Sequence, residues 1–281
     1  MKKIKLLLCL FMLTTLCGCS NSNKNESSKT LNAAMFWIST SLDPTNNYDG
    51  WVLSRIGVGE TLLKLNEKYE VEPCLAKSYE QIDDTTWKFT LKDSITFSNG
   101  KKVTGENVKA CLERAFEKNT RAIDYFDLNH VEAKGQDIYL YLNKSSGAIL
   151  NNLCEPLFTI YDASQSEEDI ANHPLCTGPF VVDDFVSEKT IDTSKNKKYY
   201  DGKAKLDHVH FSQVADSDAR VLALQSGEVD LANTIDYTSL KLFRNNKDYQ
   251  VLEVLGPRTN VIYMNNETTF LSDLTIRKAL S

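Results

Sequence analysis

Beyond its N-terminus the chain contains no apolar run approaching the roughly 20 residues a spanning helix needs, so no later membrane crossing is expected. Runs of basic residues are also absent, and the formal net charge is −6. Nucleic-acid phosphates must be neutralised by Lys or Arg, so this balance argues against a nucleic-acid partner. Histidine occurs only four times among 281 residues. The seven cysteines include no Cys-x-x-Cys and no zinc-like spacing. Gly-x-Ser-x-Gly and His-Glu-x-x-His are missing, and no paired-carboxylate spacing stands out. A secreted hydrolase is therefore the weakest reading, and no residue pattern implies a cofactor.

The N-terminus carries the clearest signal. Lys2, Lys3 and Lys5 precede an apolar run over residues 6–13. A positive stretch before a short apolar core reads as an export signal. It ends at Leu16-Cys17-Gly18-Cys19. This resembles the bacterial lipobox: an aliphatic residue, two small residues, then cysteine. The resemblance implies diacylglyceryl transfer to Cys19 and cleavage before it, leaving residues 1–18 as signal peptide. A plain signal peptide cut elsewhere is the alternative. Residues 19–30 are almost wholly polar and cannot bury apolar surface, so they are expected to be a solvated tether. Two acyl chains suffice for stable anchoring, so the body is expected on the extracytoplasmic face of a cell membrane.

In the body, residues 31–39 are expected to open the first sheet, and Asp43-Pro44 to turn the chain. A helix over the region of Val52, Leu53 and Ile56 should stop near Gly57 and lead to a strand at 62–65, with a hairpin turn at 66–68. Trp87-Lys88-Phe89-Thr90-Leu91 alternates as a strand with one wet face. Ser98-Asn99-Gly100 is turn chemistry. Thr104 then caps a helix whose Val108, Cys111, Leu112, Ala115 and Phe116 form one apolar stripe. Ile138, Leu140 and Leu142 alternate again. Residues 164–169 read as a polar loop. Ser217 is expected to cap a helix that Gly227 ends. Strands are expected near Val229–Leu231, at 251–254 and at 261–264, and a helix from 272 to the last residue. That helix carries no stop signal, so the sequence reads as interrupted.

Cys74, Cys111, Cys154 and Cys176 allow three pairings, and sequence does not choose among them. Cys111 lies on an apolar helix face, which favours a buried free thiol. A Cys154–Cys176 bridge is open because the compartment is oxidising. His208 and His210 share one strand face. They are half-exposed strand histidines or two ligands of a metal whose third ligand is not visible.

The order of short motifs then becomes recognisable. Gly59-Glu60-Thr61-Leu62-Leu63, Pro73-Cys74-Leu75-Ala76-Lys77-Ser78-Tyr79, and Asp84 with Trp87-Lys88-Phe89-Thr90-Leu91-Lys92 come first. Ile95-Thr96-Phe97-Ser98-Asn99-Gly100, Thr104-Gly105-Glu106-Asn107-Val108, Thr177-Gly178-Pro179-Phe180 and Asn196 with Tyr199-Tyr200-Asp201-Gly202 follow. Residues 219–230 and Ile276-Arg277-Lys278-Ala279-Leu280-Ser281 complete the series. Together they resemble the family 5 extracellular solute-binding proteins, which serve importers of peptides and nickel chelates. Each motif also has a scaffold meaning: core strand, turn or helix stop.

The resemblance implies an α/β, periplasmic-binding-protein-like lobe with an inserted α+β subdomain. Residues 31–60 and 173–281 would form the first lobe, and 61–172 the insert. A second lobe, present in relatives about twice as long, would be missing. The implied role is a lipid-anchored substrate-binding component of an ABC importer, not an enzyme. Its partners would be the permease, the membrane, and a small peptide or metal-chelate solute. A truncated, non-binding remnant is the alternative. Carried over by position, solute contacts would come from Trp51, Val52 and Arg55, and from Arg121, Asp124 and Tyr125. Asp124 stands where nickel-chelate relatives carry Trp, and Glu155 near where they carry a second Arg. Arg258 and Thr259 are further candidates. The bland alternatives are core packing for Trp51 and a helix-end surface role for Arg121.

Overall fold

The computed structural model describes residues 28–254, 256 and 261–280. The signal peptide, Cys19 and nearly all of the tether lie outside these residues, as do Arg258 and Thr259. Two units divide the chain, one up to Ile235 and one from Asp236 onward.

Strand β1, Thr30–Met35, lies at the heart of the first unit. Ala33, Ala34 and Met35 are all buried, so both faces of its C-terminal half are covered. Burial on both sides is what a strand flanked by parallel neighbours requires. Those neighbours are β10, His208–Gln213, and β11, Leu231–Ala232. β8, Phe180–Val186, and β9, Thr190–Lys195, extend the sheet antiparallel, giving the order β11-β1-β10-β9-β8. On one face, Ala34 packs with Ala223 and Val229. Ala223 comes from the crossover helix Ser217–Ser226 between β10 and β11. Asp216 caps that helix, its Oδ1 accepting from Ala219 N at 2.8 Å. The cap thus falls one residue before the expected Ser217, because the carboxylate reaches the free amide. Gly227 ends the helix at φ 75°, a left-handed conformation that favours glycine.

A second, four-stranded antiparallel sheet has the order β4-β5-β7-β6. Its strands are β4 (Ala76–Gln81), β5 (Thr86–Leu91), β6 (Leu128–Lys134) and β7 (Asp137–Leu142). A small hairpin, β2 (Leu63–Leu65) with β3 (Val71–Pro73), precedes it. The helices before Ser217 are α1 (Gly50–Arg55), α2 (Gly105–Lys118), α3 (Ala122–Tyr125), α4 (Ile149–Asn152) and α5 (Glu167–Asn172). The apolar stripe of α2 is buried at Val108, Cys111, Leu112 and Ala115, and the helix packs on β6 and β7. One continuous core joins these residues to Phe89, Ile138 and Leu140 of the sheet and to Ile191, Val209 and Phe211 of the first sheet.

Residues 164–169 are not simply a loop. Ser166 Oγ accepts from Asp169 N at 3.1 Å and starts α5, whose Ile170 is buried. A single anchored apolar residue and a good cap outweigh the polar composition. Cys74, Cys111, Cys154 and Cys176 are free thiols, and Cys111 Sγ donates to Tyr161 O at 3.1 Å. His208 and His210 lie on β10, and His210 Nδ1 sits 2.6 Å from Asp192 Oδ1. Among the described residues no group of three metal-ligating side chains is assembled.

Within the second unit, residues 237–242 form 3-10 turns, and Phe243 and Tyr249 meet edge to face at 5.0 Å. Its last helix is Leu274–Leu280. The strands expected at 251–254 and 261–264 do not form. Leu252, Val254, Val261, Ile262 and Tyr263 are all exposed there. A strand is stabilised by pairing with a neighbour, and the described residues supply these segments with none.

Candidate functional site

The C-terminal ends of the parallel strands are tied together by side chains. Phe36 N donates to Asn233 Oδ1 at 3.1 Å, and Ile38 N to Gln213 Oε1 at 2.6 Å. Arg220 is buried and gives its guanidinium to four carbonyls, those of Val214, Ala215, Asn233 and Thr234. In open sheets with parallel strands, the crevice beyond these ends is the usual place for a ligand.

Next to that edge lies α1. Its start is set by glycine: a Cβ on Gly50 would stand 2.4 Å from the Pro156 carbonyl oxygen. Only glycine lets α1 rest directly on the turn at residues 155–156. This close approach carries Trp51 to Glu155, and Trp51 Nε1 donates to Glu155 Oε1 at 2.9 Å. Trp51 remains 38% exposed. The Arg55 guanidinium lies over the Trp51 ring at 5.5 Å and over the Phe36 ring at 5.4 Å. That contact links α1 to the residue just after β1.

The loop before α1 adds Tyr48, 54% exposed. Asn47 holds φ 45°, a left-handed conformation that asparagine tolerates better than most residues. Asn119, at the end of α2, fastens this loop through its amide to the carbonyls of Thr45 and Asn47, both at 3.0 Å. Buried Asp49 follows Tyr48. Burial chiefly pushes its carboxyl up to about 6, partly offset by the Asn46 amide at 2.6 Å.

Arg121 immediately precedes α3 and is the hub of the group. Its Nη1 donates to Asn47 O at 2.9 Å and its Nη2 to Tyr125 OH at 2.6 Å. The Glu155 carboxylate is 3.8 Å away, and the guanidinium stacks 3.7 Å from the Tyr48 ring centroid. The carbonyl of Tyr125 accepts from the Asn152 amide, and its ring meets Phe158 edge to face at 5.7 Å. Burial, and then the nearby Glu155 charge, push the Tyr125 phenol up to about 12, so it stays a neutral donor and acceptor.

The structure therefore brings Trp51, Arg55, Arg121 and Tyr125 into one patch. Val52 is not part of it: its side chain is 0% exposed and belongs to the core. On a one-and-a-half-turn helix, Trp51 and Val52 point about 100° apart, so both cannot face outward. Asp124 is exposed, with only its backbone amide bonded to Arg121 O, and lies outside the bonded group. Sequence reasoning missed Tyr48, Asn47 and Phe36 and gave Glu155 no positive role. The one signal for Tyr48 was an aromatic residue following an Asn-Asn pair, a combination suited to presenting a side chain on a tight turn.

A mixed sheet with a parallel centre, a second antiparallel sheet and this aromatic surface define a lobe of the periplasmic-binding-protein type. The solved structure of NikA from Staphylococcus aureus in complex with Ni(L-His)2 shares it, with a TM-score of 0.74 at 32% identity over 78% of this chain and 46% of that one. The chain belongs to the bacterial extracellular solute-binding proteins, family 5, whose "family 5 Middle" description matches residues 70–281. Among curated relatives, the nickel-binding protein NikA of Staphylococcus aureus is 32% identical over 94% of this chain and 52% of its own length. The probable D,D-dipeptide-binding periplasmic protein DdpA of Escherichia coli is 26% identical over 75% of this chain and 43% of its own length. The chain thus spans about half the length of the curated relatives it matches.

Proposed function

We propose that this protein captures a small solute outside the cell and delivers it to an ABC importer, acting by binding and not by covalent chemistry. The carrying observation is the exposed Tyr48–Trp51 pair, backed by Arg55 and Arg121, beside the C-terminal ends of the parallel strands. Flat aromatic surface with a few fixed polar groups is what a small-solute pocket needs. In this reading residues 31–60 and 173–281 act as one lobe and 61–172 as its insert. The solute is a nickel chelate or a short peptide, classes favoured by the names of the relatives. Cys19 carries a lipid anchor that holds the protein at the extracytoplasmic face of the membrane. A fatty-acid label taken up by the wild type and equally by Cys19→Ala would remove the anchor from this reading.

Calorimetric titration of the purified chain with Ni(L-His)2 and with a dipeptide mixture tests solute capture. Trp51→Ala is expected to weaken solute binding by about 5- to 30-fold, since loss of an aromatic anchor costs on the order of 1–2 kcal/mol. Absence of binding to either probe, or an unchanged affinity in Trp51→Ala, contradicts the assignment.

A further inference from the structure

We infer that Glu155 sets the charge preference of this surface: it occupies Arg121, so the subsite bounded by Tyr48, Trp51 and Glu155 takes a neutral or cationic group and turns anions away. This rests on the proposed solute role of the site and names the class of group that it admits.

An arginine beside two aromatic rings would ordinarily mark a carboxylate clamp, because a guanidinium offers paired donors to a carboxylate. Here both terminal nitrogens already have partners. One face of Arg121 is closed by the Tyr48 ring. Nη1 is committed to Asn47 O, and Nη2 to Tyr125 OH with Glu155 nearby. The two charged side chains are only 25% and 13% exposed, so water screens the pair weakly.

Glu155 is itself held in place. Its amide donates to Asn152 O at 3.1 Å, and its carboxylate accepts from Trp51 Nε1. It precedes a 3-10 turn at Pro156–Phe158, all three residues of which are buried. An incoming anion would have to displace this carboxylate from a rigid turn or sit beside it unscreened. A cation or a neutral ring meets no such obstacle. It can stack on the sides of Tyr48 or Trp51 turned away from Arg121 and Arg55 and face a carboxylate that is only 13% exposed. Arg55 does not alter this assignment. Its guanidinium lies against the Phe36 and Trp51 rings, whereas the indole N–H edge is the part that faces Glu155. Arg121 is accordingly a positioning residue: it fixes Tyr48, Tyr125 and the Asn47 loop.

Glu155→Gln tests this while keeping an oxygen acceptor for the indole. The first readout needs no solute. Fluorescence quenching of the full chain and of Trp51→Phe isolates the Trp51 component from Trp37 and Trp87. In Glu155→Gln, iodide quenching of that component should rise and caesium quenching fall, each by roughly twofold, with acrylamide unchanged. Equal iodide and caesium responses in both proteins overturn the inference. The second readout compares neutral Ni(L-His)2 with dianionic Ni–EDTA. Wild type should prefer the neutral chelate by at least about tenfold, and Glu155→Gln should shrink that gap to about threefold or less. A wild-type preference for the dianion, or a gap unchanged by the substitution, also overturns it. If neither chelate binds either protein while the iodide and caesium responses shift as stated, charge exclusion at Glu155 stands and the solute-capture reading falls.

Discussion

Arg114→Met is expected to lower the stability of the first unit by about 3–5 kcal/mol, the usual cost of removing one partner from a buried ion pair. In a thermal melt this corresponds to a fall of about 10 °C for a unit of this size. Arg114 Nη1 shares its two N–H groups among Asp43 Oδ1 at 2.8 Å, Thr45 Oγ1 at 2.7 Å and Tyr161 OH at 2.8 Å. Its Nη2 donates to Asp43 Oδ2 and Glu167 Oε2, both at 2.6 Å. Asp43, Thr45 and Tyr161 are buried, and methionine would leave all three without this donor. The methionine chain fills most of the same space, so the loss is electrostatic more than steric. Burial pushes the Asp43 carboxyl up, but the bonds from Arg114 and Thr45 outweigh it and hold the group below the ordinary 3.8. The pair therefore contributes fully above about pH 3.8 and loses its contribution as pH falls through the lower folded value. The difference between wild type and variant should narrow in that acid range. A melt within 2 °C of wild type at neutral pH, roughly the effect of a surface change, would mean the network is dispensable.

Gly178→Ala should be similarly damaging, by about 3 kcal/mol, for a steric reason. A Cβ there would stand 2.5 Å from Gly57 O and 2.6 Å from Val58 O. Both neighbours are backbone and cannot swing aside. Around the crossing, Gly178 N donates to Val58 O at 3.0 Å and Phe180 N to Gly57 O at 3.1 Å. Asn196 Nδ2 donates to Gly178 O at 2.8 Å. Alanine would pry apart the junction between the end of α1 and the start of β8. Gly147→Ala provides the contrast, since a Cβ at Gly147 meets nothing within 4 Å. It should be neutral or stabilising by a few tenths of a kcal/mol through the unfolded chain. Equal melting of the two variants would show that the close approach at Gly178 is not what demands glycine.

Much of the framework was legible before any coordinates. The stripe Val108, Cys111, Leu112, Ala115 is local information, and it is the buried face of α2. The alternation at 138, 140 and 142 is likewise β7, and Asn99-Gly100 turns with φ 91° at the glycine. These signals depend on residues within one or two turns of each other. The misses have a common cause. Residues 251–254 and 261–264 are apolar enough to be strands, but a strand also needs a neighbour, which local composition does not report. Val52 and Trp51 are adjacent apolar residues on a short helix, and periodicity over so few residues does not say which one faces the core.

The amino-acid order by itself determined most of the helices and strands of the first unit, where glycine turns the chain, and the family to which it belongs. All of these follow from short-range backbone preferences and from motifs kept in sequence order. Only the tertiary structure decided what the candidate side chains do. Trp51 and Glu155 are 104 residues apart and Asp43 and Arg114 are 71 apart, yet each pair shares a hydrogen bond. Whether Arg121 is open to a ligand or already occupied depends on such distant partners. Their distances are set by the packing of whole elements, at points such as Gly50 against Pro156, and not by anything local to the residues themselves.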